Sequence, residues 1–367
     1  MKKCICLFLI LFITTSNGCV RRFEQAHLED FGLVEVIGYD MGKEGKSKVI
    51  ITYPKTDSDT EAKTQIYSTE IDVTREALID ISKKSDKSIH FGQLRVVLFS
   101  EDFARQIGLE HIVKEIYQDP VIANNVFIAI VKGNIEDFLI DNDPEKPSIS
   151  TFLKDLLKPR QETYFNPYST IHYFIYNLTN EISDPMAPFL VKENEEVEIK
   201  EIAIFKGDKM IDTVAPWESN LIFGLAKRKR IAAIKINPEE IDGLESILLE
   251  FVQSKVKIKS NKNIQDPKVN IKLNLRGQLY GYTGNMHLEN PDEKQALQDE
   301  IAKNLEINIY SLLERLQKLQ VDPIQLGEVF RMHYRGDWSK ELWNEALAKV
   351  EFNIKVNFEI TTSGTLR

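Results

Sequence analysis

Apolar and polar positions alternate most cleanly near the end of the chain. Val269, Ile271, Leu273 and Leu275 alternate with Asn270, Lys272, Asn274 and Arg276. Phe352, Ile354, Val356, Phe358 and Ile360 alternate in the same way with Asn353, Lys355, Asn357 and Glu359. A period of two is that of a strand with one buried face. Between these strands the period lengthens to three or four residues. Leu297, Ile301, Leu305, Ile309, Leu312, Leu316 and Leu319 form the stripe of one long amphipathic helix. Asn290-Pro291-Asp292-Glu293 supplies its N-cap, a proline in the first turn and acids at the positive end of the dipole. One-sided strands plus a helix long enough to cover them predict an α+β class, with mixed or antiparallel sheets each packed with helices.

The earlier chain is less regular. Residues 32–40 and 48–54 read as strands around a glycine-rich turn, and 74–84 as a helix with Ala77, Leu78 and Ile81 on one face. Residues 94–99 and 126–131 read as buried strands, the first followed by helix through Tyr117 and the second by a short helix over 135–140. Residues 149–182 look helical and aromatic. Lys206-Gly207-Asp208-Lys209 joins two short strands as a hairpin, and a helix follows over 217–229. The proline- and aspartate-rich stretch 141–147 and the acidic run 193–198 read as connectors. They predict a leader (1–18), an N-terminal α+β region (19–195, with a sub-boundary near 141–147) and a C-terminal α+β region (196–367, with a sub-boundary near 230–245). No internal repeat is visible.

The first twenty residues set the compartment. Lys2 and Lys3 precede an unbroken apolar run from Cys4 to Ile13. As a helix, such a run spans about 15 Å, half of a hydrocarbon core of about 30 Å. It suits the core of a signal peptide and is too short to span a membrane. Gly18-Cys19 follows, and this arrangement resembles the lipobox of bacterial lipoproteins, in which the cysteine thiol receives diacylglycerol and becomes the new N-terminus. Ser16 stands where a leucine is usual. Cys19 is the expected lipid-attachment site.

Composition narrows the chemistry further. The 367 residues carry 47 Lys+Arg and 56 Asp+Glu, a net charge of −9. Without Lys2 and Lys3 the balance is 45 against 56, or −11. An acidic chain is poorly suited to coating a phosphate backbone, so no nucleic-acid partner is expected. Of three cysteines only Cys19 outlasts the leader, so no disulfide framework is expected.

No catalytic signature emerges. Gly45-Lys46-Ser47 resembles the end of a P-loop, but Asp40 stands where the first glycine belongs and a β-branched run, not a helix, follows. His27, His90, His111, His172, His287 and His333 are scattered without metal-ligand spacing, so no metal and no cofactor is expected. No GxSxG elbow is present. Lys227-Arg228-Lys229-Arg230 reads as cations at a helix C-terminus, with a binding patch as the rival reading.

Four stretches together resemble the C subunit of bacterial spore germinant receptors, the Ger(x)C lipoprotein family. They are Ile89-His90-Phe91-Gly92-Gln93-Leu94 running on to Arg105, Asp119-Pro120 with the strand ending at Gly133, Ala203-Ile204-Phe205-Lys206-Gly207-Asp208-Lys209, and Val321-Asp322-Pro323 with Gly327 to Arg331 and Trp338. Val20 and Arg21 stand where the family commonly has Trp and Asp. The resemblance implies a three-domain α+β lipoprotein on the outer face of the spore inner membrane. It would work with membrane-embedded A and B subunits in nutrient-triggered germination, and the family offers no catalytic residues. The rival readings are a solute-binding lipoprotein that captures the nutrient itself and, with least support, an envelope enzyme. One local feature stands apart from the resemblance. The polar sides of the C-terminal strands carry Lys257, Lys259, Lys272, Arg276 and Lys355, with Glu359 opposing, and should form a basic face on an acidic chain.

Overall fold

The computed structural model describes residues 30–43, 46–55, 64–71, 74–140, 147–236, 244–284 and 286–363. Cys19 and the leader lie outside these residues. The chain begins with β1 (Phe31–Leu33), β2 (Val36–Met41), β3 (Ser47–Pro54), β4 (Thr64–Ile71), α1 (Thr74–Ser82), β5 (Ser88–His90) and β6 (Val96–Ser100). There follow α2 (Glu101–Gln106), α3 (Glu110–Gln118), β7 (Phe127–Val131), α4 (Ile135–Leu139), α5 (Ile149–Leu157) and α6 (Ile171–Thr179). The next elements are β8 (Met186–Glu193), β9 (Glu196–Lys206), β10 (Lys209–Val214), α7 (Pro216–Leu225), β11 (Ile234–Ile236), β12 (Leu244–Ser260) and β13 (Lys268–Gly284). The chain closes with α8 (Pro291–Leu319), α9 (Glu328–Arg331), α10 (Lys340–Leu347) and β14 (Glu351–Ser363).

Eight strands form one mixed sheet in the order β10-β9-β8-β7-β6-β2-β3-β4, whose centre (β2, β6, β7, β8) is parallel. Every residue of β6 and of β7 is buried. This is the mark of strands covered on both faces, which is why neither shows a two-residue period. On one face Tyr39, Phe99 and Ile130 pack with Phe103 of α2, Val113 of α3 and Phe174 of α6. On the other, Val36, Leu98 and Ala129 pack with Ile135 of α4 and Leu153 of α5. The helical stretch expected after β6 is two helices, because Gly108 turns the chain at φ +93°. A Cβ there would also press on the Asp208 carboxylate, which would have to move, but it is the positive φ that demands glycine. Residues 149–182 likewise hold two separate α-helices, with a 3₁₀ turn at Gln161–Thr163 between them.

The acidic run at 193–196 is the tight turn of the β8–β9 hairpin. Asn194 and Glu195 both have positive φ, 51° and 63°, as a two-residue turn with type I′ twist requires. The divide expected between residues 195 and 196 thus falls inside a hairpin of the large sheet. Its cause is turn geometry, which a run of acids does not reveal. Ser47 opens β3, so the P-loop-like triplet leads into a strand, as its β-branched sequel implied; Gly45 lies outside the described residues.

The second sheet has the order β11-β12-β13-β14, with β13 and β14 parallel and joined across α8. Asn290 caps α8 by accepting from the Asp292 N–H at 3.0 Å. Ile301, Leu305, Ile309 and Leu312 are buried against a core that includes Val269, Ile271, Leu273, Leu275, Val356 and Phe358. The stripe and both alternating faces therefore meet as their spacing implied. The same core takes in Met186, Ile202 and Ile204 of the eight-stranded sheet, so the two sheets share apolar packing. Arg315 of α8 adds a fork to Asp212 Oδ2, at 3.0 Å from Nε and 2.7 Å from Nη2, together with the Thr213 carbonyl at 2.7 Å. Among the described residues no helix is long and apolar enough to cross a membrane.

Candidate functional site

Where the two halves meet, side chains far apart in sequence form a buried polar node. Asp184, in the turn before β8, and Asp322, just past α8, are 3% and 2% exposed. Gln320 ends α8 in the left-handed region at φ 57°, which turns Val321 and Asp322 inward. The Asp322 N–H donates to Asp184 Oδ2 at 2.8 Å. Lys340, at the start of α10, donates to Asp184 Oδ1 at 2.6 Å and to the Ser183 carbonyl at 2.9 Å. Asp322 Oδ2 accepts from the Gly327 N–H at 2.9 Å and from Trp343 Nε1 at 3.1 Å.

Electrostatics divides the two carboxyls. Lys340 compensates Asp184 with a cation. Asp322 has only dipoles, and its burial pushes its pKa up to about 7, with the nearby Asp184 charge acting in the same direction. The amides of Leu326 and Gly327 and the Trp343 indole pull the other way without winning. Around the node Phe330 and Trp343 pack at 5.5 Å, and Trp338 stacks on Trp343 at 6.1 Å. A Cβ on Gly327 would lie 3.0 Å from both Ile182 and Trp343, so only glycine fits easily between them. This is chemistry for locking one arrangement of the halves. It offers no paired acid and base facing a cleft, and no nucleophile beside a base.

Residues 321–331 and Trp338, read in sequence as one of four motifs, thus converge here with two partners that sequence reasoning missed. Asp184 stands in a plain Asp-Pro dipeptide, and Lys340 belongs to no periodic segment, so neither carries a signal in the sequence. The basic run at 227–230 follows the end of α7 at Leu225, with Arg228 folded back 3.6 Å over the Phe223 ring and bonded to the Tyr164 carbonyl at 3.0 Å. That arrangement fits the reading as a helix terminus. Among the described residues no group of three or more His, Cys, Asp or Glu is placed to hold a metal ion.

Two families match successive parts of the chain. Residues 24–192 match the family described as "Spore germination protein N-terminal domain", and residues 200–364 match "Spore germination B3/GerAC like, C-terminal". The chain belongs to the GerAC-like spore germination family. The spore germination protein GerQC of Bacillus cereus is 28% identical over 365 residues, covering 99% of each chain. The spore germination protein YndF of Bacillus subtilis (strain 168) is 21% identical over 407 residues, covering 99% of this chain and 96% of its own. The crystal structure of the GerBC protein superposes with a TM-score of 0.60 at 16% identity, over 89% of this chain and 97% of its own. At that identity the likeness is one of fold.

Proposed function

We propose that this chain is a lipid-anchored, non-enzymatic subunit of a nutrient germinant receptor. It acts as scaffold or coupling element beside membrane-embedded A and B subunits on the outer face of the spore inner membrane. The reading is carried by the correspondence of nearly the whole chain, in order, to spore germination proteins. The buried node and the shared core suit such a role, since a load on one sheet reaches the other through packed side chains. Cys19 is the proposed attachment point for the acyl chains, and two chains suffice for lasting membrane residence. Replacing the only acylatable thiol, by Cys19→Ala or Cys19→Ser, should leave the protein unlipidated, poorly retained in spore membranes and slow to support germination. Wild-type retention and germination in either variant would overturn the proposal.

A second reading, direct capture of the nutrient, has one observation behind it. A cleft of about 640 Å³ opens between β2 and α3, lined by Ile37, Tyr39, Leu94, Glu115, Ile116 and Asp119. Calorimetric titration of the purified chain with germinant amino acids or sugars separates the two. Saturable binding lost in Glu115→Gln would favour capture, and the absence of heat would favour the scaffold.

A further inference from the structure

The exposed side of the second sheet carries a charge pattern that folding does not explain. β12, β13 and β14 are in such register that Lys257 lies opposite Lys272, and Lys272 opposite Lys355. One row across three strands is therefore all lysine. Like charges placed directly opposite weaken a sheet, so this row is a liability to the fold. Lys255 and Lys259 flank it, two positions away on either side of Lys257 along the same face of β12. All five are exposed, and none is ion-paired with a described acid. Their neighbours add no charge. Asn274 bonds Asn357 at 2.7 Å, Asn270 bonds Asn353 at 2.9 Å, and Arg276 is neutralised by Glu359 through two bonds of 2.8 Å. With strands about 4.8 Å apart and a rise of about 3.3 Å per residue, the five cations occupy a patch of roughly 10 by 14 Å. α8 covers the opposite side, which leaves this one open.

We propose that this face docks on an anionic phospholipid surface. Charge complementarity points there, because a patch of +5 on a chain of net charge −9 has no counterpart within the described structure. The residue type selects lipid over protein. Protein interfaces are rich in Arg, Tyr and Trp and poor in Lys, whereas a flexible, hydrated ammonium suits a fluid array of headgroups. The inference stands without the Cys19 anchor, so the two fail separately.

The test uses the chain from residue 20 on, which contains every described element and no acylatable thiol, with vesicles of phosphatidylglycerol mixed into phosphatidylcholine. Wild type should bind these, release as salt rises well above about 0.1 M, where the screening length falls below about 10 Å, and ignore pure phosphatidylcholine. The variant Lys257→Gln, Lys272→Gln, Lys355→Gln should bind about 100-fold more weakly, as a several-fold contribution per lysine implies. A charge-matched control, Lys158→Gln, Lys303→Gln, Lys349→Gln, removes three exposed cations from elsewhere and should bind as wild type does. Because the row is itself repulsive, the first variant should melt no lower than wild type. Equal vesicle binding by wild type and the row variant would overturn the proposal. So would retention on a polyglutamate peptide without binding to phosphatidylglycerol, which would assign the face to an acidic protein partner.

Discussion

Asp322 shows how far a single side chain can be set by what surrounds it. Its carboxyl is buried, lies near a second carboxylate and receives only amide and indole donors, so it holds its proton up to about pH 7. In the unfolded chain the group ionises near 3.8. Between about pH 4 and 7 the folded state thus keeps a proton that the unfolded state has lost. The contribution is fully present below pH 4 and drains away as the pH rises through 7. Urea unfolding at a series of pH values should show wild type losing stability over this range relative to Asp322→Asn, which presents a neutral group throughout. Parallel pH profiles for the two chains would mean that the proton sits elsewhere. Nothing in the local sequence Val-Asp-Pro announces this, since the shift comes from burial and from the nearby Asp184 charge, both supplied by the fold.

At the scale of elements, α8 and the strands beneath it were legible because periodicity reports burial directly when one face is solvated. Ile309 is fully buried in the core under α8. Ile309→Ala should cost about 2–5 kcal/mol, read as a lowered urea midpoint or melting temperature; an unchanged melt would place the stripe against a partner instead. The helix also does something that no pattern shows. Gln298 and Glu306 accept from the Ile360 and Val356 N–H groups, both at 2.8 Å, and so occupy donors on the edge strand β14 that would otherwise invite pairing. The N-terminal strands were harder to read. β8 lacked a clear signal because Met186 to Val191 are all buried, and further along the chain the bulges of β12 near Leu248 and Glu250 interrupt its two-residue period.

For the molecule as a whole, the shared core and the Asp184–Lys340 pair make the sheets interdependent. Lys340→Met would strand the buried Asp184 carboxylate without its cation. Breaking a buried pair costs about 3–5 kcal/mol, and the figure should fall near the lower end because Lys340 keeps 22% of its side-chain surface. With packing continuous between the sheets, calorimetry should show this as one transition moved down in temperature. Two separated transitions would instead mean that the sheets unfold independently and that the node does not couple them.

The sequence by itself determined the α+β class, the capped helix and its two companion strands, the family resemblance and the lysine-rich face. Each of these is written in residues close together in the chain or in a strict period, so short-range physics suffices to read it. Only the tertiary structure decided the rest. It turned an acidic run into a hairpin within one sheet, and it aligned Lys257, Lys272 and Lys355 in a single row. It also brought Asp184 to Asp322 and Lys340 across more than a hundred residues of chain. Those outcomes depend on strand register and on which buried groups end up without water, quantities fixed by the packing of the whole chain.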